Sequence, residues 1–439
     1  MVNTPTEQKK SILIDVTFLF DQYSKRGIGV YGRNVVKRIV LQLIDEEELE
    51  INLFGFLNLH QNLIALGFSQ FQIEEIGNKV NFYTLGEAFP SSLSNLVSWR
   101  KMFIPIIEKV KPDIYFASHF ERGLPSTKFL NRPLIHKPKT VVMAHDAIPL
   151  VLNKYSQKGY IQNQLKGQFF KFMWSGVRNA DLVLTNSNFS KGDLVNYGKI
   201  DESKIKVIYL GIDKDFFDGR KVFNKDLIDA TLAAYHLKDK NYFFYDSGFE
   251  ANKSTPELLN VFKGILDLND TKLPDTLVVT GGDFHKGAGK EIRARSILGD
   301  MFLRNARKLG LIENIVATDK VTENHLIELL IESKAYINLS SYEGFSFGPL
   351  QAMAARIPAI AANSSCTPEV TDGGAYLVDL EKCKDLESAK TVAKDIKELL
   401  QSKTKLANHL RMAQEIARKY NWDTTVNETL KEISKLVTL

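Results

Sequence analysis

The most regular feature of the chain is an alternation between short apolar runs and longer segments with helical periodicity. Several of the apolar runs end in Gly, Asn, Asp or Ser, as strands do when they lead into loops that carry functional groups. This alternation predicts β–α units with mostly parallel sheets, and therefore an α/β fold. The predicted strands are SILIDV, INLFGFL, DIYFASHF, TVVMAHD, DLVLTNS, IKVIYLG, YFFYDSG, TLVVTGG, NIVATD, KAYINLS and IPAIAAN.

The order of these elements predicts two Rossmann-like domains. A chain of 439 residues exceeds what one hydrophobic core usually organises, and 44% apolar with 25% charged residues is typical of a folded globular protein. The periodicity weakens after IKVIYLGID, and a second series of strands starts with YFFYDSG. We therefore assign residues 1–215 to an N-terminal domain and residues 216–419 to a C-terminal domain. Open parallel sheets bind ligands at the carboxyl ends of their strands, so we expect a cleft between the domains.

Composition excludes several classes of protein. The two cysteines, Cys366 and Cys383, form no C-x-x-C pair, and no clustered histidines accompany them. We therefore expect no structural zinc and a reducing compartment. The N-terminal residues lack the apolar stretch of a secretion signal, and no run of eighteen apolar residues occurs. These features predict a cytoplasmic protein without a membrane span.

The charge is distributed unevenly along the chain. Residues 1–200 contain 24 Lys and Arg against 17 Asp and Glu, whereas residues 201–439 contain 33 against 35. The basic surplus of the first half suits an anionic partner such as a phospholipid surface or a pyrophosphate-linked acceptor, and we expect no nucleic acid. A solvated surface without a partner is the alternative interpretation.

Two segments of the second half have the pattern of anion-binding turns. In YFFYDSGFEANKSTPELLNVF, Lys253 precedes a helix for which Thr255 is the predicted N-cap and Pro256 the first helical residue. A cation beside a helix start favours phosphate, although a surface lysine is the alternative. In SYEGFSFGPLQAMAARI, Glu343 is placed to bind ligand hydroxyl groups, and Gln351, two helical turns on, to hold a ribose or a backbone group. The alternative is that Glu343 only caps local amides.

The first half contains two further candidates. Gly27, Gly29 and Gly32 match the spacing G-x-G-x-x-G, but about ten residues separate them from the preceding strand, so the dinucleotide interpretation is weak. His145 and Asp146 follow the strand TVVMA and project from its end, although a structural loop histidine is the alternative. The helix predicted in residues 98–113 packs on the core or contacts a membrane.

Taken in order, these segments resemble a glycosyltransferase of family 4, whose members have the GT-B architecture of two facing Rossmann-like domains. The resemblance covers nearly the whole chain. It also implies that the last helix, residues 420–439, packs on the first domain. The matching motifs are GIGVYGRNVV, HDAIPL, ADLVLTNSNFSKGDL with KIKVIYLGID, GFEANKS, YEGFSFGPLQAMAARIPAIAANSSCTPEV and YNWDTTVNETL.

The resemblance implies transfer of a sugar from a nucleotide-diphosphate donor with retention of configuration and without a metal or other cofactor. Carried over by position, Lys253 meets the pyrophosphate, Glu343 the sugar hydroxyls and Gln351 the ribose. His145 stands near the reacting carbon, with Asp146 beside it. Residues 319–321 border the nucleobase. The other implied donor-site residues are Gly29, Ser187, Gly248, Lys320, Val321, Phe345, Ser346, Phe347, Gly348 and Leu350.

This chain departs from the family pattern at two positions. Gln351 replaces a second glutamate, and Asn252 replaces an arginine that often precedes Lys253. The neutral amide at 351 weakens donor binding by about 1 kcal/mol, and the missing cation weakens it further. No carboxylate nucleophile is evident in the first domain, so we favour a front-face mechanism in which the departing phosphate accepts the acceptor proton.

The activity that the resemblance implies is that of a hexosyltransferase, such as a mannosyltransferase, of surface polysaccharide, lipopolysaccharide or glycolipid synthesis. Its acceptor would be a glycan or a lipid-pyrophosphate-linked glycan, met at the cytoplasmic membrane face through the basic N-terminal domain. Two alternatives remain open at this point. One is a sugar-nucleotide-binding subunit that has lost turnover, and the other is a sugar-nucleotide epimerase or dinucleotide oxidoreductase on the same scaffold.

Overall fold

The computed structural model describes residues 9–20, 24, 27–86, 95–119, 135–152 and 174–437. The chain divides into two compact units, which we call unit 1 (residues 1–211 with 422–439) and unit 2 (residues 212–421). The sequence placed the corresponding boundaries at residues 215 and 420. Within the described ranges, no helix is long and apolar enough to cross a bilayer, and no group of three or more His, Cys, Asp or Glu could hold a metal ion.

Unit 1 is built on a seven-stranded sheet in which every pair of neighbouring strands is parallel. All six apolar runs predicted in this half form strands, because central strands covered on both faces consist of nearly continuous apolar residues. The third strand was not predicted, since it lies at the sheet edge and is half exposed. The strands are β1 (Lys10–Asp15), β2 (Leu49–Gly55), β3 (Val80–Thr84), β4 (Ile114–Ala117), β5 (Lys139–Met143), β6 (Leu182–Thr185) and β7 (Ile205–Val207), in the order β3-β2-β1-β4-β5-β6-β7.

Helices cover this sheet, and the C-terminal helix is one of them. In the helix Asn95–Val110, Phe103 and Ile107 are fully buried in the core, as expected of a core-facing helix. The helix Trp422–Ser434 packs on the helix Gly27–Leu43, where Arg38 Nε lies 3.1 Å from Asp423 Oδ1. The other α-helices in the described part of unit 1 are Leu59–Ala65, Gln70–Ile76, Ile148–Leu152 and Asn188–Asn196.

Unit 2 contains a second seven-stranded sheet, parallel except for its antiparallel edge strand β10. The five predicted runs form strands, whereas the two edge strands, β10 and β14, were not among the predicted runs. The strands are β8 (Tyr242–Tyr245), β9 (Thr276–Val279), β10 (Gly287–Ala288), β11 (Ile315–Ala317), β12 (Ala335–Asn338), β13 (Ala359–Ala362) and β14 (Tyr376–Val378), in the order β10-β11-β9-β8-β12-β13-β14.

Nine α-helices lie in unit 2, all of whose residues the structure describes, and one of them begins differently from the prediction. Thr255 was expected to be the N-cap, but the helix Thr255–Asp267 already includes it, and Ser254 is the N-cap. The prediction was wrong because Ser254 adopts a left-handed conformation, with φ of 47°, and turns the chain one residue earlier. The other α-helices are Lys214–Val222, Lys225–Ala234, Ile297–Lys308, Glu323–Ile331, Phe347–Ala354, Thr367–Thr371, Leu386–Gln401 and Lys403–Ala417.

Candidate active site

An ion pair between Lys253 and Glu343 marks the carboxyl end of the unit 2 sheet. The two residues lie in the loops that follow β8 and β12, which are neighbouring parallel strands. Lys253 Nζ lies 2.7 Å from Glu343 Oε1, and the side chains are only 14% and 17% exposed. The Glu343 amide donates a hydrogen bond to Ser365 Oγ at 2.9 Å. The structure thus brings together the two residues predicted to hold the donor, and it pairs their charges directly.

Asn252 links the two loops that carry this ion pair. Its Nδ2 donates to the Tyr342 carbonyl at 2.9 Å, and its own carbonyl accepts from the Ser341 amide at 2.8 Å. The Ser341 hydroxyl donates to the same carbonyl at 3.1 Å. Asn252 is buried. The residue that looked like a missing cation in the sequence therefore has a structural role next to Lys253 and Glu343.

The helix Phe347–Ala354 begins beside these loops with an unusual turn. Its N-cap, Ser346, is left-handed with φ of 38° and makes no capping hydrogen bond with its side chain. The Ser346 hydroxyl instead lies 2.6 Å from Thr367 Oγ1. First-turn amides of a helix have no acceptor within the helix, and together with the helix dipole they favour an anion. This turn therefore has the local geometry expected of a phosphate-binding turn.

Gly348 is required by packing in the first turn of that helix. A Cβ atom at this position would overlap the hydroxyl and ring of Tyr336 on β12. The Tyr336 hydroxyl donates to Asp246 Oδ1 at 2.7 Å and lies 3.0 Å from Ser247 Oγ. Burial raises the pKa of Asp246, although the Tyr336 hydrogen bond and the charge of Lys253 act in the opposite direction. The turn that contains Gly348 thus packs on Tyr336, which in turn hydrogen-bonds to the loop after β8.

Five other predicted donor-site residues lie in or next to these segments. Gly248 has φ of 85°, and its carbonyl accepts a hydrogen bond from the Tyr245 hydroxyl. Leu350 is fully buried, so its side chain belongs to the core, whereas Gln351 in the second helical turn is partly exposed. The buried Phe345 ring packs edge-on against the ring of Phe347, with 5.1 Å between centroids.

The predicted nucleobase segment follows β11 at the same end of the sheet. Asp319 is left-handed, with φ of 67°, and its Oδ1 accepts from the Lys320 amide at 2.6 Å. Arg295 Nη1 donates to the same oxygen at 2.7 Å. The Lys320 side chain is exposed and extends past Gly282, where a Cβ atom would lie 2.6 Å from Lys320 Cε. Val321 is partly exposed beside it.

In unit 1, His145 is a buried and neutral imidazole. It follows β5 and packs edge-on against Tyr31, with 4.9 Å between ring centroids. Burial, and to a smaller extent the nearby His119, lower the pKa of His145 to about 3, and a hydrogen bond with the Ser118 backbone acts in the opposite direction. Nε2 of His145 has no hydrogen-bond partner among the described residues. One oxygen of Asp146 accepts from the Ile148 amide at 2.7 Å, at the start of the helix Ile148–Leu152.

Sequence reasoning missed a cluster of buried polar atoms around His145. His119 follows β4, and burial lowers its pKa to about 4. Asp15 ends β1 and accepts from Thr17 Oγ1 at 2.6 Å and from the Tyr115 hydroxyl at 3.0 Å. Its burial outweighs these hydrogen bonds and raises its pKa to about 6. The signal available in the sequence was the polar residue that directly follows each apolar run.

Several of these buried atoms have unused hydrogen-bonding capacity. Among the described residues, no hydrogen-bond partner is present for His119 Nδ1, Thr185 Oγ1 or Asn186 Oδ1, and the same is true of His145 Nε2. They lie at the carboxyl ends of β4, β5 and β6, which are neighbours in the sheet. A buried polar atom without a partner costs about 1–3 kcal/mol, which a ligand that hydrogen-bonds to it would recover.

The two remaining predicted residues have local structural roles. Gly29 lies in the first turn of the helix Gly27–Leu43, and a Cβ atom there would overlap the backbone of Ser24. Ser187 is the N-cap of the helix Asn188–Asn196, and its Oγ accepts from the Ser190 amide at 3.1 Å. Both positions require these residue types for local folding, whether or not they contact a ligand.

Comparison with known proteins gives matches along most of the chain. Residues 62–216 match the Glycosyltransferase Family 4 model, and residues 233–419 match the model Glycosyl transferases group 1. The serotype-specific mannosyltransferase WbdA of Escherichia coli is 23% identical over 370 residues, which are 82% of this chain and 41% of that protein. The chain therefore spans about two fifths of the length of this relative.

Two further matches extend over nearly the full length of both proteins. The O-antigen chain mannosyltransferase B of Escherichia coli is 22% identical over 420 residues, which are 93% of this chain and 96% of that protein. The crystal structure of HepE from Anabaena, in complex with UDP-glucose, has a TM-score of 0.67 at 14% identity and covers 97% of this chain and 99% of that one. Because the two family models match successive parts of the chain and the solved structure has the same architecture, this chain is a family 4-like glycosyltransferase with the GT-B fold.

Proposed function

We propose that this protein transfers a hexose from a nucleotide-diphosphate sugar to a glycan or a lipid-pyrophosphate-linked glycan in surface polysaccharide synthesis. The names of the two Escherichia coli relatives, a serotype-specific mannosyltransferase and an O-antigen chain mannosyltransferase, make mannose the first donor sugar to test. HepE in complex with UDP-glucose is a protein of similar fold that binds a nucleotide sugar, which supports this class of donor.

The observation that carries the proposal is the ion pair of Lys253 and Glu343. In the proposed complex, Lys253 contacts the diphosphate and Glu343 accepts hydrogen bonds from the sugar hydroxyls. Cleavage of the bond between sugar and diphosphate leaves negative charge on the departing phosphate. In the proposed reaction, Lys253 and the amides at the start of the helix Phe347–Ala354 stabilise that charge, because donors fixed before the reaction lower the cost of reorganisation.

The proposal includes retention of configuration by a front-face mechanism without a metal cofactor. In this mechanism, the departing phosphate accepts the proton of the acceptor hydroxyl, so no enzyme carboxylate forms a bond to the sugar. The lysine and the helix N-terminus would supply the positive charge that the leaving group requires. A covalent glycosyl–enzyme adduct detected by mass spectrometry would contradict it.

The polar groups at the strand ends of unit 1 suit an uncharged sugar better than a phosphate. His119 and His145 are neutral at physiological pH, since burial holds their pKa values near 4 and 3. Thr185 and Asn186 add a hydroxyl and an amide. Such groups donate and accept hydrogen bonds as sugar hydroxyls do. Contact of the basic N-terminal unit with an anionic membrane, on its cytoplasmic face, is part of the same proposal.

A transfer assay with the purified protein tests the proposal. The protein is incubated with UDP-linked and GDP-linked hexoses and a panel of glycan and lipid-linked acceptors, and the anomeric configuration of the product is determined by NMR. We expect transfer from one donor with retention and its loss in Lys253→Ala, whereas Lys263→Ala, a lysine in the following helix, serves as the control. Donor binding without turnover across the panel would favour a binding subunit instead.

A further inference from the structure

The helix Ile297–Lys308 of unit 2 presents apolar side chains to solvent at its first turn. Ile297 is 79% exposed, Leu298 37% and Met301 49%. The opposite face of the same helix is anchored in the core, where Phe302 and Leu303 are buried. The exposed apolar residues are therefore not needed to hold the helix in place. We call Ile297, Leu298 and Met301 the apolar tip.

Basic residues flank the apolar tip on both sides along the chain. Residues 290–308 contain six Lys and Arg against two acidic residues, although residues 201–439 as a whole contain 33 against 35. On the helix, Arg304 and Lys308 continue the line that starts with Ile297 and Met301, because residues spaced by three or four positions share a face. The segment is thus locally basic, although this half of the chain as a whole has no basic surplus.

Part of this positive charge is not neutralised within the protein. Three of the six cations have acidic partners: Arg295 with Asp319 at 2.7 Å, Arg304 with Asp300 at 3.0 Å and Lys290 with Glu313 at 3.4 Å. The other three are exposed and form no ion pair in the parts of the chain that the structure describes. These three cations are Arg293, Arg307 and Lys308.

We propose that the apolar tip and the three unpaired cations form a docking surface for an anionic phospholipid bilayer. Ile297, Leu298 and Met301 enter the boundary between headgroups and acyl chains, and the cations contact lipid phosphates. Exposed apolar residues beside clustered Lys and Arg are the features that bind proteins to the surface of an anionic membrane. This surface belongs to unit 2, so it is distinct from the basic surplus of the first half of the chain.

The size of the tip favours a bilayer over a protein partner. A stable protein interface buries roughly 800 Å² on each partner. Three adjacent side chains on one helical turn form a much smaller apolar area, but shallow insertion into a bilayer requires only such an area together with electrostatic attraction. Docking of this kind would also bring the protein to the surface where a lipid-linked acceptor lies.

A second exposed apolar residue provides a matched control. Phe71, on the helix Gln70–Ile76 of unit 1, is 77% exposed, about as much as Ile297. Its helix neighbours Glu74 and Glu75 are exposed and acidic, so an anionic surface would repel this region. We therefore expect that exposure of one large apolar side chain is not sufficient for membrane docking. The charge of the neighbouring residues distinguishes Ile297 from Phe71.

Co-sedimentation with lipid vesicles tests the proposal on the full chain. Vesicles of phosphatidylcholine alone are compared with vesicles that also contain phosphatidylglycerol. We expect binding only to the anionic vesicles, with weakening as salt increases. Ile297→Ser combined with Met301→Ser should lower the partition coefficient roughly tenfold. Arg307→Gln combined with Lys308→Gln should lower it and reduce its salt dependence. Phe71→Ser should leave binding unchanged.

Several results would overturn the inference. Equal binding to both kinds of vesicle would exclude the proposed role of the cations, and unchanged binding of both double variants would place the contact elsewhere. If sedimentation showed self-association that Ile297→Ser with Met301→Ser abolishes, and no lipid binding, the tip would pair two copies instead. Thermal unfolding of each variant verifies that it is folded. Since vesicle binding needs no donor or turnover, this test is independent of the proposed transferase activity.

Discussion

Substitution of Asn252 distinguishes two hypotheses about the role of this residue. If the only effect of Asn252 is that the phosphate-binding cation of the family pattern is absent, Asn252→Arg should strengthen donor binding. If its main role is the link between the loops after β8 and β12, both Asn252→Arg and Asn252→Ala should weaken donor binding, because Lys253 and Glu343 lose their alignment. The structure supports the second expectation, since the Asn252 side chain is buried and donates to the Tyr342 carbonyl at 2.9 Å.

The magnitude follows from that hydrogen bond. Removal of the Nδ2 donor takes one hydrogen bond away from the buried Tyr342 carbonyl, and the loss of a buried hydrogen bond costs about 1–3 kcal/mol. The hydrogen bonds from Ser341 to the Asn252 carbonyl involve the backbone of residue 252, so they are not removed directly by either substitution. We therefore expect a decrease of about 1–2 kcal/mol in the free energy of unfolding of Asn252→Ala.

The assay combines denaturant unfolding with calorimetric titration of the donor nucleotide. Because Asn252→Ala should displace the Lys253–Glu343 pair, we expect its Kd for the donor to rise roughly tenfold, which is equivalent to about 1.4 kcal/mol of binding free energy. The Kd of Asn252→Gln, which retains an amide on a longer side chain, should lie between that of the unsubstituted protein and that of Asn252→Ala. Tighter donor binding by Asn252→Arg, with unchanged stability, would refute the reasoning and restore the interpretation as a missing cation.

Three further predictions follow from individual contacts. Glu343→Gln removes the charge of the ion pair but keeps an acceptor, so we expect kcat/KM to fall by about two orders of magnitude and Tm to decrease, because the mostly buried Lys253 loses its counter-charge. Gly348→Ala would overlap Tyr336 and should destabilise the fold by about 1–3 kcal/mol, whereas Gly192→Ala, with open space around it, should be neutral or stabilising; equal Tm values would contradict this. Burial lowers the pKa of His119 from 6.5 to about 4, so the unfolded chain binds a proton first as the pH falls. Stability should therefore decrease between pH 6.5 and 4, by an amount on the order of 3 kcal/mol from this residue, and His119→Gln should reduce that slope in urea titrations at several pH values.

Local patterns in the chain were sufficient to predict most of the fold. The eleven predicted runs all form strands, because a strand buried in a parallel sheet needs apolar residues on both faces and this requirement is visible in the sequence. The resemblance to family 4 glycosyltransferases is confirmed by the family models and the shared architecture. Strands β3, β10 and β14 were not predicted; all three lie at sheet edges and are only partly buried, so they need no continuous apolar run.

The candidate site was also only partly predictable from the sequence. Its residues, such as Lys253 and Glu343, could be predicted from motifs, because glycines, charges and helix starts are local features. Their interactions could not be predicted, since Lys253 and Glu343 are 90 residues apart and become partners only when β8 pairs with β12. The role of Asn252 and the neutral state of His145 likewise depend on burial and on atoms from distant segments. The sequence by itself determined which chemical groups are present and which elements carry them, and only the tertiary structure decided which groups meet, because contact and burial are properties of the packed chain.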